Sequence, residues 1–222
     1  INMFSSPRVQ RYFSLDSVIC LIDAGSFLER INDFEEVRSQ VAKSDMAIIN
    51  KSDLLLPEQM NKLEQKVASL NPLARIEKTT HGKIENIQIL NRESFNPSKI
   101  EKNIIDFTNL TLASPKNQHR HKIQTLSYTL PGSFDIKKIA MWFEDFLCLN
   151  KDNTLRIKAL LSIHDLSNKI ILQSVGRDFH TTQGSQWSAN EARESKIVFI
   201  GTGLQEEKIR NSLYALLMEV EA

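Results

Sequence analysis

Residues 47–55 read AIINKSDLL: an apolar run, then Asn50, Lys51, Ser52 and Asp53, then apolar side chains again. A short apolar run closed by Asn and Asp has the form of a buried strand ending at a loop. Outward from it, residues 17–23 (SVICLID) make a second such run. Between the two, residues 34–44 (FEEVRSQVAKS) space Phe34, Val37 and Val41 at helical intervals. Beyond the loop, Pro57 suits the first turn of a helix, whose apolar face is Met60, Leu63, Val67 and Leu70. Residues 74–78 (ARIEK) make a third, weaker strand. Strands separated by helices predict a parallel sheet covered on both faces.

The pattern breaks over residues 96–121, where Pro97, Pro115 and the polar run SPKNQHRH predict a linker. Residues 122–130 then alternate like a strand, and 135–149 carry Ile136, Ile139, Phe143, Phe146 and Leu147 on one helical side. Three strands are expected with no helix between them, at 155–163, 169–175 and 196–200. A last helix over 205–220 would bury Ile209, Leu213, Leu216 and Val220. This order predicts an α+β domain with a mostly antiparallel four-stranded sheet and two helices on one face. The expected division is an α/β part over 1–95, a linker over 96–121, and an α+β domain over 122–222 able to fold alone. Arg156 and Lys158 alternate with apolar residues, so a solvated sheet face is expected for both.

The balance of 28 Lys and Arg against 27 Asp and Glu, net charge +1, offers no general attraction to nucleic acid or an anionic membrane. No apolar run approaches the roughly 18 residues that span a bilayer. Cys20 and Cys148 both lie in apolar sequence and read as buried, reduced thiols of a cytoplasmic protein.

In an open parallel sheet, ligands sit beyond the carboxyl ends of the strands. Asp23, Asn50 and the Thr79-Thr80-His81-Gly82 run all fall just past such ends and should line one crevice. Asn-Lys-x-Asp after a buried strand is how many GTP-binding proteins read guanine. Asp53 could accept from guanine N1–H and the exocyclic amine, a charge-assisted pair that adenine cannot offer. The Lys51 stem can lie along the purine face, and Asn50 can tie the loop to its neighbours. Asn and Asp also close strand-ending turns with no ligand, and an Asp at a strand end, as Asp23 is, often caps the next turn. Of the five histidines, only His119 and His121 are close in sequence, with no cysteine or carboxylate at ligand spacing. The metal ligands stay unassigned.

Several stretches together resemble the CobW-type (CobW/YjiA-like) GTPases. These are LDSVICLIDA (15–24), QVAKSDMAIINKSDLL (40–55), LNPLARIEKTTHGKIE (70–85), RIKALL (156–161) and SKIVFIGTGL (195–204), with Trp187 before the last. Ala159 stands where that family usually has Gly. The resemblance implies a GTP-dependent metal chaperone or metal-insertion GTPase that uses GTP and Mg²⁺ and carries zinc or cobalt to a client metalloprotein, as in cobalamin synthesis. It implies nucleotide contacts at Asn50, Lys51, Asp53, Thr80 and His81, with Asp23 on the phosphate side or behind them, and a C-terminal domain facing the client. The family's Gly-x-x-Gly-x-Gly-Lys-Thr loop, Cys-x-Cys-Cys motif and Glu-x-x-Gly switch are absent from these 222 residues. The expectation is therefore the C-terminal two-thirds of such a protein, a partial P-loop GTPase unit lacking its N-terminal strands and inactive in hydrolysis by itself. The competing expectation is a non-enzymatic interaction module that keeps Asn-Lys-x-Asp as an inherited turn.

Overall fold

The computed structural model describes residues 7–13, 15–111, 123–176 and 178–218. The chain divides into two compact units, one up to Phe95 and one from Asn96 onward.

The first unit holds a three-stranded parallel sheet in the order β1-β2-β3: β1 (Ile19–Asp23), β2 (Met46–Asn50) and β3 (Arg75–Lys78). Its helices are α1 (Pro7–Gln10), α2 (Phe27–Asp33), α3 (Glu35–Lys43) and α4 (Pro57–Leu70). Met46 to Ile49 of the central strand are all buried, as a parallel strand covered on both faces requires. α4 starts with Pro57 at its first position, and the Gln59 side chain accepts from the Leu56 N–H. Met60, Leu63, Val67 and Leu70 form its buried face. The Asn71 amide, fully buried, donates to the carbonyls of Val41, Ala42 and Ser44 at 3.0, 3.1 and 2.8 Å. That ties the end of α4 to the end of α3. Among the described residues β1 pairs only with β2, and its Leu21 is 68% exposed.

The second unit is an antiparallel sheet in the order β4-β8-β5-β6-β7. Its strands are β4 (Ile123–Pro131), β5 (Thr154–Leu161), β6 (Asn168–Val175), β7 (Asp178–Gln186) and β8 (Glu194–Thr202). The sheet has five strands where the sequence predicted four. The extra strand, β7, reads DFHTTQGSQ; it lies at the sheet edge, where Thr181, Thr182 and Gln183 are exposed, so it carries no alternation of apolar residues. Gly201 of β8 is set against a chain turn. A Cβ there would stand 2.3 Å from the Asn153 carbonyl oxygen, closer than any packing allows.

Helices cover both faces of this sheet, a correction to the expectation of two helices on one face. α6 (Ile136–Leu149) and α7 (Glu206–Tyr214) pack on one side, burying Ile139, Phe143, Ile209 and Leu213 against Ile157, Ala159, Leu161 and Phe199. Asp135 caps α6 by accepting from the Lys138 N–H at 2.9 Å, which holds its carboxyl below the usual range. α7 is shorter than predicted: it ends at Tyr214, and Leu217 bridges to Phe134 instead. On the opposite face lies α5 (Pro97–Thr111), inside the stretch expected to be a linker. Its Ile100 and Ile104 are buried against Leu160 and Ile171. Residues 112–121 lie outside the described residues, and His119 and His121 with them.

α5 also corrects the expected surroundings of Arg156 and Lys158. Side chains alternate along a strand, so both share the Leu160 face and are 1% and 2% exposed. The same cover buries Lys169, whose ammonium reaches Glu101 of α5 at 2.6 Å and Glu191 at 2.7 Å and stands 4.9 Å from the Trp187 ring centre. Both oxygens of Glu101 accept from the Ser185 hydroxyl at 3.0 Å. Burial pulls the Lys169 amine down, and the two carboxylates outweigh it to leave the group raised.

Candidate functional site

The carboxyl ends of β1, β2 and β3 meet in one network. Asp23 and Asn50 are partners across the parallel register, and Ala24 N–H donates to the Asn50 carbonyl at 3.0 Å. The Asn50 side-chain oxygen accepts from Gly82 N–H at 3.0 Å, which draws the third loop over the second. Ser52 N–H donates to the Thr79 carbonyl at 3.1 Å, and the Ser52 and Thr80 hydroxyls are 3.0 Å apart. Thr79 in turn binds the Lys83 carbonyl through its hydroxyl. The three loops therefore hold each other.

Each predicted residue has a definite place here. Asn50 is a tie between loops. Lys51 has left-handed backbone (φ 59°, ψ 37°), and its ammonium reaches back to Asp23 Oδ2 at 2.7 Å. The other Asp23 oxygen accepts from Gly25 N–H at 2.9 Å. The Lys51 hydrogen bond, then that of Gly25, holds the Asp23 carboxyl below its ordinary value. Thr80 spends its hydroxyl on Ser52. His81 is exposed, with φ 53°, and it turns the chain so that Gly82 can face Asn50. Asp53 lies in a 3₁₀ turn (Ser52–Leu54), exposed, and its carboxylate has no hydrogen bond or ion pair among the described residues.

The Thr79-Thr80-His81-Gly82 run was expected at the crevice, whereas the contribution of Ser52 was missed by sequence reasoning. Ser52 is the free position of the Asn-Lys-x-Asp pattern, so only its hydroxyl chemistry could have drawn notice.

Among the described residues, no group of three or more His, Cys, Asp or Glu could hold a metal ion. Cys20 is half-buried with its thiol pushed up by burial, but Cys148 is exposed on α6, against the expectation of two buried thiols. The helical period explains it: Leu147 takes the inward place beside it. No described helix is long and apolar enough to cross a membrane.

A parallel sheet with a crossed-loop site at its carboxyl end, followed by an antiparallel α+β unit, is the plan of a two-part nucleotide-binding protein. Residues 1–78 match the CobW/HypB/UreG nucleotide-binding domain, and residues 123–217 match the cobalamin synthesis protein cobW C-terminal domain. The chain is 30% identical to the zinc chaperone YjiA of Escherichia coli (strain K12), over 97% of this chain and 66% of YjiA. It is 22% identical to the zinc chaperone CobW of Pseudomonas aeruginosa, over 98% of this chain and 62% of that protein. The zinc-bound YjiA GTPase from E. coli has a similar structure, with TM-score 0.75 and 27% identity over 98% of this chain and 66% of that one. The chain belongs to the CobW/YjiA-type GTPase family. It spans about two thirds of the length of the curated relatives it matches.

Proposed function

We propose that the first unit is the guanine-reading part of a GTP-dependent zinc chaperone, and that the second unit faces the client metalloprotein in the cytoplasm. The observation that carries this is Asp53. Asn50, Lys51 and Thr80 are engaged in holding the loops, while the Asp53 carboxylate stands exposed and uncommitted beside them. A fixed loop with one free carboxylate suits a base that offers two adjacent N–H donors, and guanine does. Zinc is favoured over cobalt because the relatives YjiA and CobW are zinc chaperones.

Phosphate binding and hydrolysis need backbone N–H groups at a glycine-rich turn, a Lys and Mg²⁺. The sequence contains no such turn, so these 222 residues are read as a partial P-loop GTPase unit that recognises the base and leaves turnover to a protein that also carries the phosphate loop. Purified alone, the chain should show no GTP hydrolysis above a heat-killed control.

The base assignment is tested by Asp53→Asn, which replaces an acceptor-only carboxylate by an amide that also donates. Guanosine diphosphate should bind more weakly by about 2–3 kcal/mol, and xanthosine diphosphate, with oxygen in place of the amine, should be preferred. Equal preference in mutant and wild type would remove Asp53 from recognition. It would favour the reading of an interaction module, in which the same loop ties serve only as a turn.

A further inference from the structure

Resting on that guanine-reading assignment, we infer that Asp23 is a positioning residue for base specificity: it draws the Lys51 ammonium across to β1 and so keeps it off Asp53. Lys51 and Asp53 are two residues apart in a tight turn, so the ammonium has a second carboxylate close by with which it can form a surface ion pair. Here the ammonium is 2.7 Å from Asp23 instead. Both oxygens of Asp23 are engaged, one by Lys51 and one by the Gly25 N–H, so the carboxylate points in a fixed direction. The left-handed backbone at Lys51 sends its side chain toward the neighbouring strand end. Asp23 and Asn50 are register partners on adjacent strands, about 4.8 Å apart, so the residue that follows Asn50 lies within a lysine's reach of Asp23. The Lys51 stem then runs across the crevice mouth as an apolar strap, and Asp53 stays available to the base edge.

Stability alone does not account for the pair. The Lys51 and Asp23 side chains are 52% and 39% exposed, and ion pairs so open to water contribute little to folding. What the pair does change is which of two carboxylates the ammonium occupies.

The test is a double-mutant cycle on the 222-residue chain, with binding of guanosine, adenosine and xanthosine diphosphates followed by the amide NMR shifts of residues 50–53 at millimolar nucleotide. Asp23→Asn should weaken guanosine diphosphate about two- to fivefold, because Lys51 becomes free to pair with Asp53. Asp23→Glu should restore part of the loss. Lys51→Met keeps the stem without the charge, and in that background Asp23→Asn should change nothing. An unchanged affinity in Asp23→Asn, or an equal loss with and without the Lys51 charge, would overturn the positioning role and leave the base assignment intact. If Asp53→Asn fails to shift preference toward xanthosine diphosphate, or the wild-type chain shows no response to guanosine diphosphate, the base assignment falls and this inference with it.

Discussion

Lys51 holds φ 59° and ψ 37°, a conformation in which an L side chain crowds its own carbonyl. The cost is about 1 kcal/mol and persists only where surroundings enforce it. Here the Ser52–Thr79 bond and the Asp23 contact enforce it. Lys51→Gly should therefore leave stability unchanged or raise it by up to about 1 kcal/mol, while purine binding weakens for want of the stem. Thermal unfolding and nucleotide titration of the one variant test both; a clear loss of stability would show that the lysine is held at no cost. At this scale the residues of the loop were legible, because Asn-Lys-x-Asp follows a fully apolar strand. The tie at Asn50 was readable too, and its bond with Gly82 agrees with it. The pairing of Lys51 with Asp23 was not, since that depends on where a strand end distant in sequence comes to lie.

Among the elements, α5 was misread as a linker, although its signals were present. Asn96 accepts from Ser98 N–H at 3.0 Å as a helix cap, Pro97 follows it, and Ile100, Ile104 and Thr108 recur every four residues. The prolines and polar run of residues 96–121 outweighed them. Arg156 and Lys158 were misread for the same reason, because charged residues on a strand look solvated until a helix is laid over them. The Lys169 network makes that covering testable. Lys169→Met would leave Glu101 and Glu191 without their cation, at a cost of about 3–5 kcal/mol in thermal or urea unfolding. The pH dependence follows from the shifts. Glu191 is lowered, with burial raising it but the Lys169 hydrogen bond prevailing. Its contribution is therefore full above the unfolded carboxyl value of about 4.3 and is lost as pH falls through the lower folded value. Lys169 is raised, so its contribution is full below about 10.4 and is lost as pH rises through the higher folded value. Wild-type stability should lose this contribution at both extremes, whereas the Met variant should show no such alkaline loss.

For the molecule as a whole, the two units differ in how complete their cores are. The second has a helix on one sheet face and two on the other, so residues 96–222 should unfold cooperatively in isolation. Residues 122–222 should be far less stable, because losing α5 bares Leu160, Ile171 and a row of buried cations. Calorimetry of both pieces decides it, and equal stability would return α5 to the status of a linker. Much of the order of strands and helices was readable from periodicity, α5 and β7 excepted, but the completeness of each face was not, since it depends on contacts distant in sequence. In the first unit that matters at β1. Leu21 and Ile19 stand open to water on a strand with no described partner beyond β2. A bare backbone edge lined with aliphatic groups is a template for adding strands from whatever chain is nearby. In the test tube this favours assemblies that grow with concentration, and light scattering should fall when Leu21→Lys sets a charge on that edge.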